Sequence, residues 1–322
     1  MRRLSYQEFQ EEQSAFGEAV ARCGHLARFC SDISWQCAAY ENLFGFDFGL
    51  EKPMQPLVVE QDDNWLVFSE RRENIYYPFE AAWMFGCPVV GAPVESLELL
   101  ESAAAKFFVN PVGFVISGIL EDSQFHREVR VLGERSRQFD EFGTTDCLSI
   151  DLSEGVDAFL GRRSRSFRKG IRQMKPLDSL EFEDASSDAP ETIFPRILAI
   201  QSTSYKAKDG GDIFSHSSYE RFYRSLYQRL YEKKCIRTLF ARCDGQDVAY
   251  IMGGVSGSVY RGFQMSYDNE YRKFALGNRL QLENIQRMCE EGVTHYDLGM
   301  HSPYKERWAD NWESYKGVFV VL

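Results

Sequence analysis

None of the apolar runs in this 322-residue chain reaches the roughly 18 residues that a helix needs to span a bilayer. The opening residues, MRRLSYQEFQEEQ, carry two arginines and then turn polar and acidic, so they lack the apolar segment of a secretory signal. From these two absences we expect a cytoplasmic protein with no membrane span.

The patterns of common metal centres and of serine hydrolases are also missing. The eight cysteines form no CxxC pair and the five histidines form no HxxxH pair, so we expect no metal site. Cys23, Cys30 and Cys37 are spaced more widely than neighbouring zinc ligands usually are, which favours buried apolar cysteines. The segment 253-GGVSGS-258 lacks the G-x-S-x-G form of a nucleophile elbow, so hydrolase chemistry is disfavoured.

The net charge of -11 argues against a wholly basic surface for binding nucleic acid. One basic run nevertheless interrupts the acidic chain, at Arg162, Arg163, Arg165, Arg168, Lys169, Arg172 and Lys175. The simpler interpretation is a solvated helix face, and the alternative is a platform for a phosphorylated ligand.

Hydrophobic residues make up 44% of the chain, enough for a sizeable core, and their periodicity predicts an α+β fold. In the first part we predict helices at 5–29 and 96–108 and strands at 57–61, 65–71 and 112–119. The first part ends with a strand at 147–152 that leads into a helix from Ser153. The second part has helices at 190–205 and 218–234, an antiparallel three-strand meander at 236–268, a helix at 277–291 and a strand at 294–298. The second part thus repeats the element order of the first, which predicts domains at 1–152 and 153–322.

The turn between the meander and the 277–291 helix has the composition of an anion site. Its pattern is Arg272-x-x-Ala275-x-Gly277, and small residues let the backbone lie close to a ligand. The amides of the first helical turn and the helix dipole together favour a pyrophosphate. The alternative is that Gly277 only makes a turn before an ordinary helix.

This segment resembles the GNAT superfamily, whose acyl-CoA loop reads Gln/Arg-x-x-Gly-x-Gly/Ala. Arg272, Ala275 and Gly277 match that loop, with alanine in place of its first glycine. The likeness runs from about Asp151 to Trp308 and is to the double-domain branch, which contains the Fem-type peptidoglycan transferases and the CelD/BcsL-like acetyltransferases. Further segments that carry it are 201-QSTSYKAKDGG-211 and 296-YDLGMHSPYKERW-308.

The resemblance implies tandem GNAT-like domains, each a mixed and largely antiparallel sheet flanked by helices, with the first degenerate and the second active. It implies acyl-CoA as co-substrate, bound by Gln264, Met265, Ser266, Arg272, Ala275, Gly277, Asn278 and Arg279. It also suggests a catalytic set of Asp297, Tyr304 and His301, and an acceptor side of Lys206, Tyr205 and Lys305.

The resemblance suggests a role for each of these candidates. Asp297 is the candidate base that removes the proton of the amine, or else a cap or turn residue that binds local backbone. Tyr304 is the candidate that protonates the departing thiolate, and His301 is a second candidate base. Lys305 is a candidate to bind a phosphate or carboxylate as a point charge, but taken alone it is better explained as a solvated lysine of a surface loop.

The function expected from this reading is N-acyl transfer from acyl-CoA to a primary amine of a small molecule or cell-envelope precursor. Two alternatives stay open at this point. One is a Fem-type aminoacyl transferase that uses aminoacyl-tRNA as its donor, and the other is a GNAT-fold binding module without catalysis. The sequence specifies neither the acceptor amine nor the oligomeric state.

Overall fold

The computed structural model describes residues 1–24, 28–43, 55–108, 111–208 and 210–322, except for the side chains of Arg28, Thr144 and Tyr205. These residues form two compact units, one made of Met1–Asp146 with Glu313–Leu322 and the other of Cys147–Trp312. Helices and strands occur in both, which confirms the predicted α+β class.

The first unit contains a sheet and the helices that cover it. Its elements in chain order are β1 (Arg2–Leu4), α1 (Tyr6–Glu11), α2 (Gln13–Arg22), α3 (Arg28–Ser31), α4 (Ile33–Asn42), β2 (Pro56–Gln61), β3 (Asn64–Arg72), β4 (Ile75–Pro78), β5 (Val89–Val90), α5 (Pro93–Phe107), β6 (Gly113–Leu120), α6 (Gln124–Arg135) and the start of β7 (Gln138–Asp151). The strands β1 to β4 pair antiparallel in chain order, β4 pairs parallel with β6, and β5 pairs with β3. The long helix predicted at 5–29 is interrupted at Glu12, which ends α1 and begins α2.

The second unit begins with the end of β7 and contains the cavity described below. Its further elements are α7 (Gly155–Arg162), α8 (Arg165–Arg172), β8 (Leu180–Asp184), α9 (Pro190–Thr203), α10 (Tyr205–Lys208), α11 (Ser217–Glu232), β9 (Ile236–Cys243), β10 (Gln246–Ser256), β11 (Val259–Tyr267), α12 (Leu276–Glu290), β12 (His295–Met300), α13 (Pro303–Glu306) and the start of β13 (Asn311–Val321). The predicted meander is therefore present as β9 to β11, and the helix and strand predicted after it are α12 and β12.

The sheet of the second unit changes direction at one place. The strands β8 to β11 pair antiparallel in chain order, whereas β11 and β12 run parallel. Their pairing covers only Val259–Arg261 against His295–Asp297, and β12 pairs antiparallel with β7 on its other side. Because β11 continues to Tyr267 without a partner on that edge, a gap opens between the two strands.

Aromatic and aliphatic side chains fill the core beneath this sheet. One group surrounds Tyr260, Tyr296 and Trp308, and a second lies between α12 and the meander strands, with Leu276 and Leu280 fully buried. Since both helix and strands contribute to these groups, the core holds the first turn of α12 against β11.

The two compact units differ from the predicted domains at both ends. The division precedes Cys147 instead of Ser153, and the last residues, Glu313–Leu322, belong to the first unit. The physical reason is that β13 pairs antiparallel with β6, which buries Val318 and Val320 completely in the core of the first unit. That each unit is a GNAT-like domain stays a prediction.

Candidate active site

A cavity of about 650 Å³ lies in the second unit where β11 and β12 separate. Its walls come from β11, the first turns of α12, the end of β12 and the segment around α13. Nine of the predicted site residues line it: Lys206, Gln264, Met265, Arg272, Ala275, Gly277, Asn278, Tyr304 and Lys305. The structure therefore brings together three segments that are widely separated in the sequence.

The turn before α12 has a special backbone conformation at Ala275. A 3₁₀ helix at Asn269–Phe274 precedes it, and Ala275 then adopts the left-handed conformation, with φ 54° and ψ 40°. Its carbonyl accepts hydrogen bonds from the amides of Asn278 and Arg279, at 3.0 and 3.2 Å, which starts the helix. The first amides of α12 and the positive end of its dipole are thus directed to the cavity end of the helix.

Gly277 has no side chain to occupy the cavity at the first turn of α12. A Cβ added there would lie 3.5 Å from Cε1 of Tyr267 and 3.7 Å from Cε of Met265, which is ordinary contact. Both neighbours line the cavity, so any larger side chain at this position would extend into it. The Tyr304 hydroxyl donates to the Gly277 carbonyl at 3.3 Å and ties the α13 segment to α12.

Lys206 and Lys305 are half-buried and each donates to a backbone carbonyl. The Lys206 ammonium bonds the Met265 carbonyl on β11 at 2.8 Å, and the Lys305 ammonium bonds the Met300 carbonyl at the end of β12, also at 2.8 Å. Burial lowers the pKa of Lys206 to about 8. Burial, followed by the positive charge of Arg261, lowers the pKa of Lys305 to about 8.

Asp297 does not line the cavity. Its neighbours Tyr296 and Leu298 do, and because alternate residues of a strand face opposite sides, the Asp297 carboxylate points to the face of the sheet opposite to their side chains. There it accepts from the buried Arg261 guanidinium at 2.5 Å and from the Gly299 amide at 2.7 Å. This is the local backbone contact that formed the alternative reading of Asp297 in the sequence.

His301 also lies outside the cavity lining. Its ring packs against Trp312 at 4.6 Å between centroids, and its Nε2 is 2.6 Å from Oε1 of Glu306. These contacts brace the α13 segment from its outer side.

Three other predicted residues do not join the cavity lining among the described side chains. Ser266 is buried in β11, and Arg279 bonds two carbonyls, those of Phe274 at 3.1 Å and Lys175 at 2.6 Å. The side chain of Tyr205 falls outside the described residues, although its backbone begins α10.

A buried polar group at the base of the cavity was not predicted from the sequence. The Tyr296 hydroxyl accepts from the Gln281 amide at 2.8 Å and from the Asn284 amide at 2.7 Å. Gln281 and Tyr296 both line the cavity. Two amide side chains three residues apart on the otherwise apolar face of α12 were the sequence signal that could have revealed this group.

The basic run at 162–175 divides into two parts with different surroundings. The Arg163 guanidinium is buried against Asp310, donates to the Trp308 carbonyl at 2.8 Å and lies 4.9 Å from the centre of the Phe159 ring. The later residues, Arg165, Lys169, Arg172 and Lys175, are exposed. Only this second part fits the solvated face that the sequence favoured.

No described helix is both long and apolar enough to cross a membrane. Within the described ranges, no cluster of three His, Cys, Asp or Glu side chains could hold a metal ion. Six of the eight cysteines are buried, among them Cys23, Cys30 and Cys37.

Residues 161–306 match the family model described as an acetyltransferase (GNAT) domain. No match was found among curated proteins. The solved structure of FemX matches the chain with a TM-score of 0.65 and 12% identity, covering 98% of this chain and 97% of that chain.

Two further solved structures match over nearly their whole length. A conserved protein of unknown function from Bacteroides thetaiotaomicron has a TM-score of 0.64 at 12% identity, covering 96% of this chain and 97% of that chain. The C-terminal domain of a putative lysylphosphatidylglycerol synthetase from Agrobacterium fabrum has a TM-score of 0.53 at 13% identity, covering 97% of this chain and 92% of that chain. At these identities the likenesses show the fold alone: the chain has the fold of the FemX structure, and its residues 161–306 are similar to a GNAT acetyltransferase domain.

Proposed function

We propose that the chain is an N-acyltransferase that moves an acyl group from acyl-CoA to a primary amine of a small molecule or cell-envelope precursor. The observation that carries this proposal is the cavity between β11 and β12, which opens on the first turn of α12. A diphosphate placed at this turn would meet backbone amides and the positive end of the helix dipole. Arg272 lines the same end and adds a full positive charge.

The unpaired edge of β11 supports a site for the thioester carbonyl. The Met265 carbonyl accepts from Lys206, so it points into the gap and away from β10. In a strand the amide and carbonyl of one residue point to the same side, so the Met265 amide is a candidate donor to the thioester oxygen. Direct attack by the amine then needs both substrates to be held in one cavity, where orientation supplies most of the rate gain.

The mechanism needs two proton transfers, one to the departing thiolate and one from the attacking amine. We propose that Tyr304, which lines the cavity, donates a proton to the departing thiolate. The role of Asp297 as base stays a prediction that its contacts do not favour, because its carboxylate is engaged by the buried Arg261 guanidinium.

Gly277 offers a direct test of the donor site. Gly277→Leu should extend a side chain into the cavity and weaken acetyl-CoA binding at least about tenfold, because a sterically blocked phosphate loses charge-assisted hydrogen bonds. Gly277→Ala is the matched control, since its methyl group makes only ordinary contacts. Calorimetric titration of both variants and the parent with acetyl-CoA measures the effect, and unchanged affinity in Gly277→Leu would exclude this corner as the donor site.

A second candidate donor, aminoacyl-tRNA, is favoured by the exposed cations of α8 and the segment that follows it. Arg165, Lys169, Arg172 and Lys175 form no ion pair with any described carboxylate, and Arg279 links the Lys175 carbonyl to α12. Such a strip fits the phosphates of a polyanion. Binding of a charged tRNA that weakens steeply from about 50 to 200 mM salt, with no heat from acetyl-CoA, would replace the first proposal by this one.

A further inference from the structure

The side chains that line the cavity of the second unit carry a net positive charge, whereas the net charge of the whole chain is negative. Four lining side chains are cationic, Lys206, Arg272, Lys305 and Arg307, and none of the described lining residues is Asp or Glu. The whole chain contains 48 acidic and 37 basic side chains, so the lining does not follow the overall balance. An acceptor with several positive charges would be repelled from such a cavity.

The two lysines lie on short helices and are anchored to carbonyls on the two diverging strands. Lys206 donates to Met265, beyond Arg261, the last β11 residue paired with β12. Lys305 donates to Met300, beyond Asp297, the last β12 residue paired with β11. One ammonium group is therefore anchored on each arm of the gap. They are close enough for the charge of Lys206 to contribute to lowering the pKa of Lys305.

The acids that act on these lysines are engaged elsewhere. Asp297 acts on Lys305 but is bonded to Arg261 and the Gly299 amide. Asp212 acts on Lys206, but its carboxylate accepts from the Gln201 side chain at 2.9 Å and from the Phe214 amide at 2.9 Å. In the described part of the chain, neither lysine forms an ion pair with a carboxylate.

Two half-buried ammonium groups without a counter-ion destabilise each other, and an anion bound between them removes that cost. We propose that the acceptor amine carries an anionic group, a carboxylate or a phosphate, that binds between Lys206 and Lys305. The inference rests on the proposed acyl transfer for the identity of the ligand as acceptor. Binding of an anion at the two lysines is measurable without any donor.

Matched pairs of acetylated probes test the proposal, because they resemble products and cannot react further. N-acetylglycine is compared with N-acetylglycinamide, and N-acetylglucosamine 6-phosphate with N-acetylglucosamine, by calorimetric titration of the full chain at neutral pH. We expect the anionic member of at least one pair to bind about tenfold or more tightly than its neutral partner, as charge-assisted hydrogen bonds imply. Which pair shows the preference distinguishes a carboxylate from a phosphate.

Variants assign the preference to the two lysines. The double variant Lys206→Met, Lys305→Met should bind both members of the preferred pair equally. Lys175→Met is the matched control, because Lys175 is exposed and does not line the cavity, and it should keep the preference.

Equal affinities within both pairs, no binding of either anion, or tighter binding of N-acetylspermidine would overturn the proposal. If the proposed acyl transfer from acyl-CoA is wrong but the anion site is right, acetyl-CoA gives no heat while the anionic probe still binds more tightly than its neutral partner.

Discussion

Ala275 holds a left-handed backbone conformation that costs an L-residue about 1–2 kcal/mol and costs glycine almost nothing. The alanine is the one departure from the GNAT loop pattern, yet the chain turns at this residue and starts α12 directly after it. The alanine therefore lowers stability at the turn without preventing it from forming.

Ala275→Gly should raise the free energy of unfolding by about 1 kcal/mol, because it removes the strain and because glycine is a better N-cap than alanine. Urea denaturation measures the change. Lys273→Gly in the preceding 3₁₀ helix, which has no positive φ, should instead lower stability. A destabilised Ala275→Gly protein would show that the turn is not strained.

The half-buried lysines predict a pH dependence of anion binding. Each is protonated below its pKa of about 8 in the free protein, so binding of the preferred anionic probe should be constant below pH 8 and weaken above it. Lys305→Arg keeps its charge in this range, so only Lys206 then titrates near pH 8 and the decline should be less steep than in the parent. An equally steep decline in the parent and in Lys305→Arg would remove Lys305 as a cause, and titrations from pH 6 to 10 decide between these results.

At the scale of elements, a buried ion pair connects the end of α7 to the segment before β13. The Arg163 side chain is 8% exposed, and its charge is balanced by Asp310, which also accepts from Arg162 at 3.0 Å. The sequence suggested one solvated helix over this region. The structure ends α7 at Arg162 and begins α8 at Arg165, and the arginine at the break turns inward.

Asp310→Asn should lower the free energy of unfolding by about 3 kcal/mol, because it leaves the Arg163 guanidinium buried without its counter-ion. Glu154→Gln is the control, since Glu154 is 75% exposed in its pair with Arg162 and should change stability by less than about 1 kcal/mol. Thermal or urea unfolding measures both. Equal effects would mean that burial of Arg163 has no energetic consequence.

At the scale of the whole molecule, the end of the chain stabilises the unit that contains its beginning. The sequence assigned residues 313–322 to the second domain because they follow the GNAT-like segment. The pairing of β13 with β6 places Val318 among the buried residues of the first unit.

Val318→Ala should destabilise the first unit by about 2 kcal/mol through lost burial and a small cavity. Hydrogen exchange should increase at β6, with little change in β10 and β11 of the second unit. The reverse pattern would contradict the assignment of β13. Val94→Ala, at a position that is 40% exposed, should leave exchange in both units unchanged.

Site residues differed in how far the sequence could locate them. Arg272 and Gly277, which line the cavity, were predicted because a helix start and its small residues are encoded within a few positions. Lys206 and Lys305 were proposed from resemblance, and only the fold shows that both line the cavity with Gly277. The side on which Asp297 lies depends on the strand register, and a single strand pattern does not specify which face meets the cavity.

Local patterns of the sequence by themselves determined the meander, the helix that follows it and the small-residue turn between them, because these depend on residues near one another in the chain. The tertiary structure alone decided where β11 and β12 separate, which side chains line the resulting gap and that the last strand joins the first unit. Those features depend on strand pairing and burial between segments that are distant in the sequence. Such contacts stabilise the protein only when folding brings the segments together.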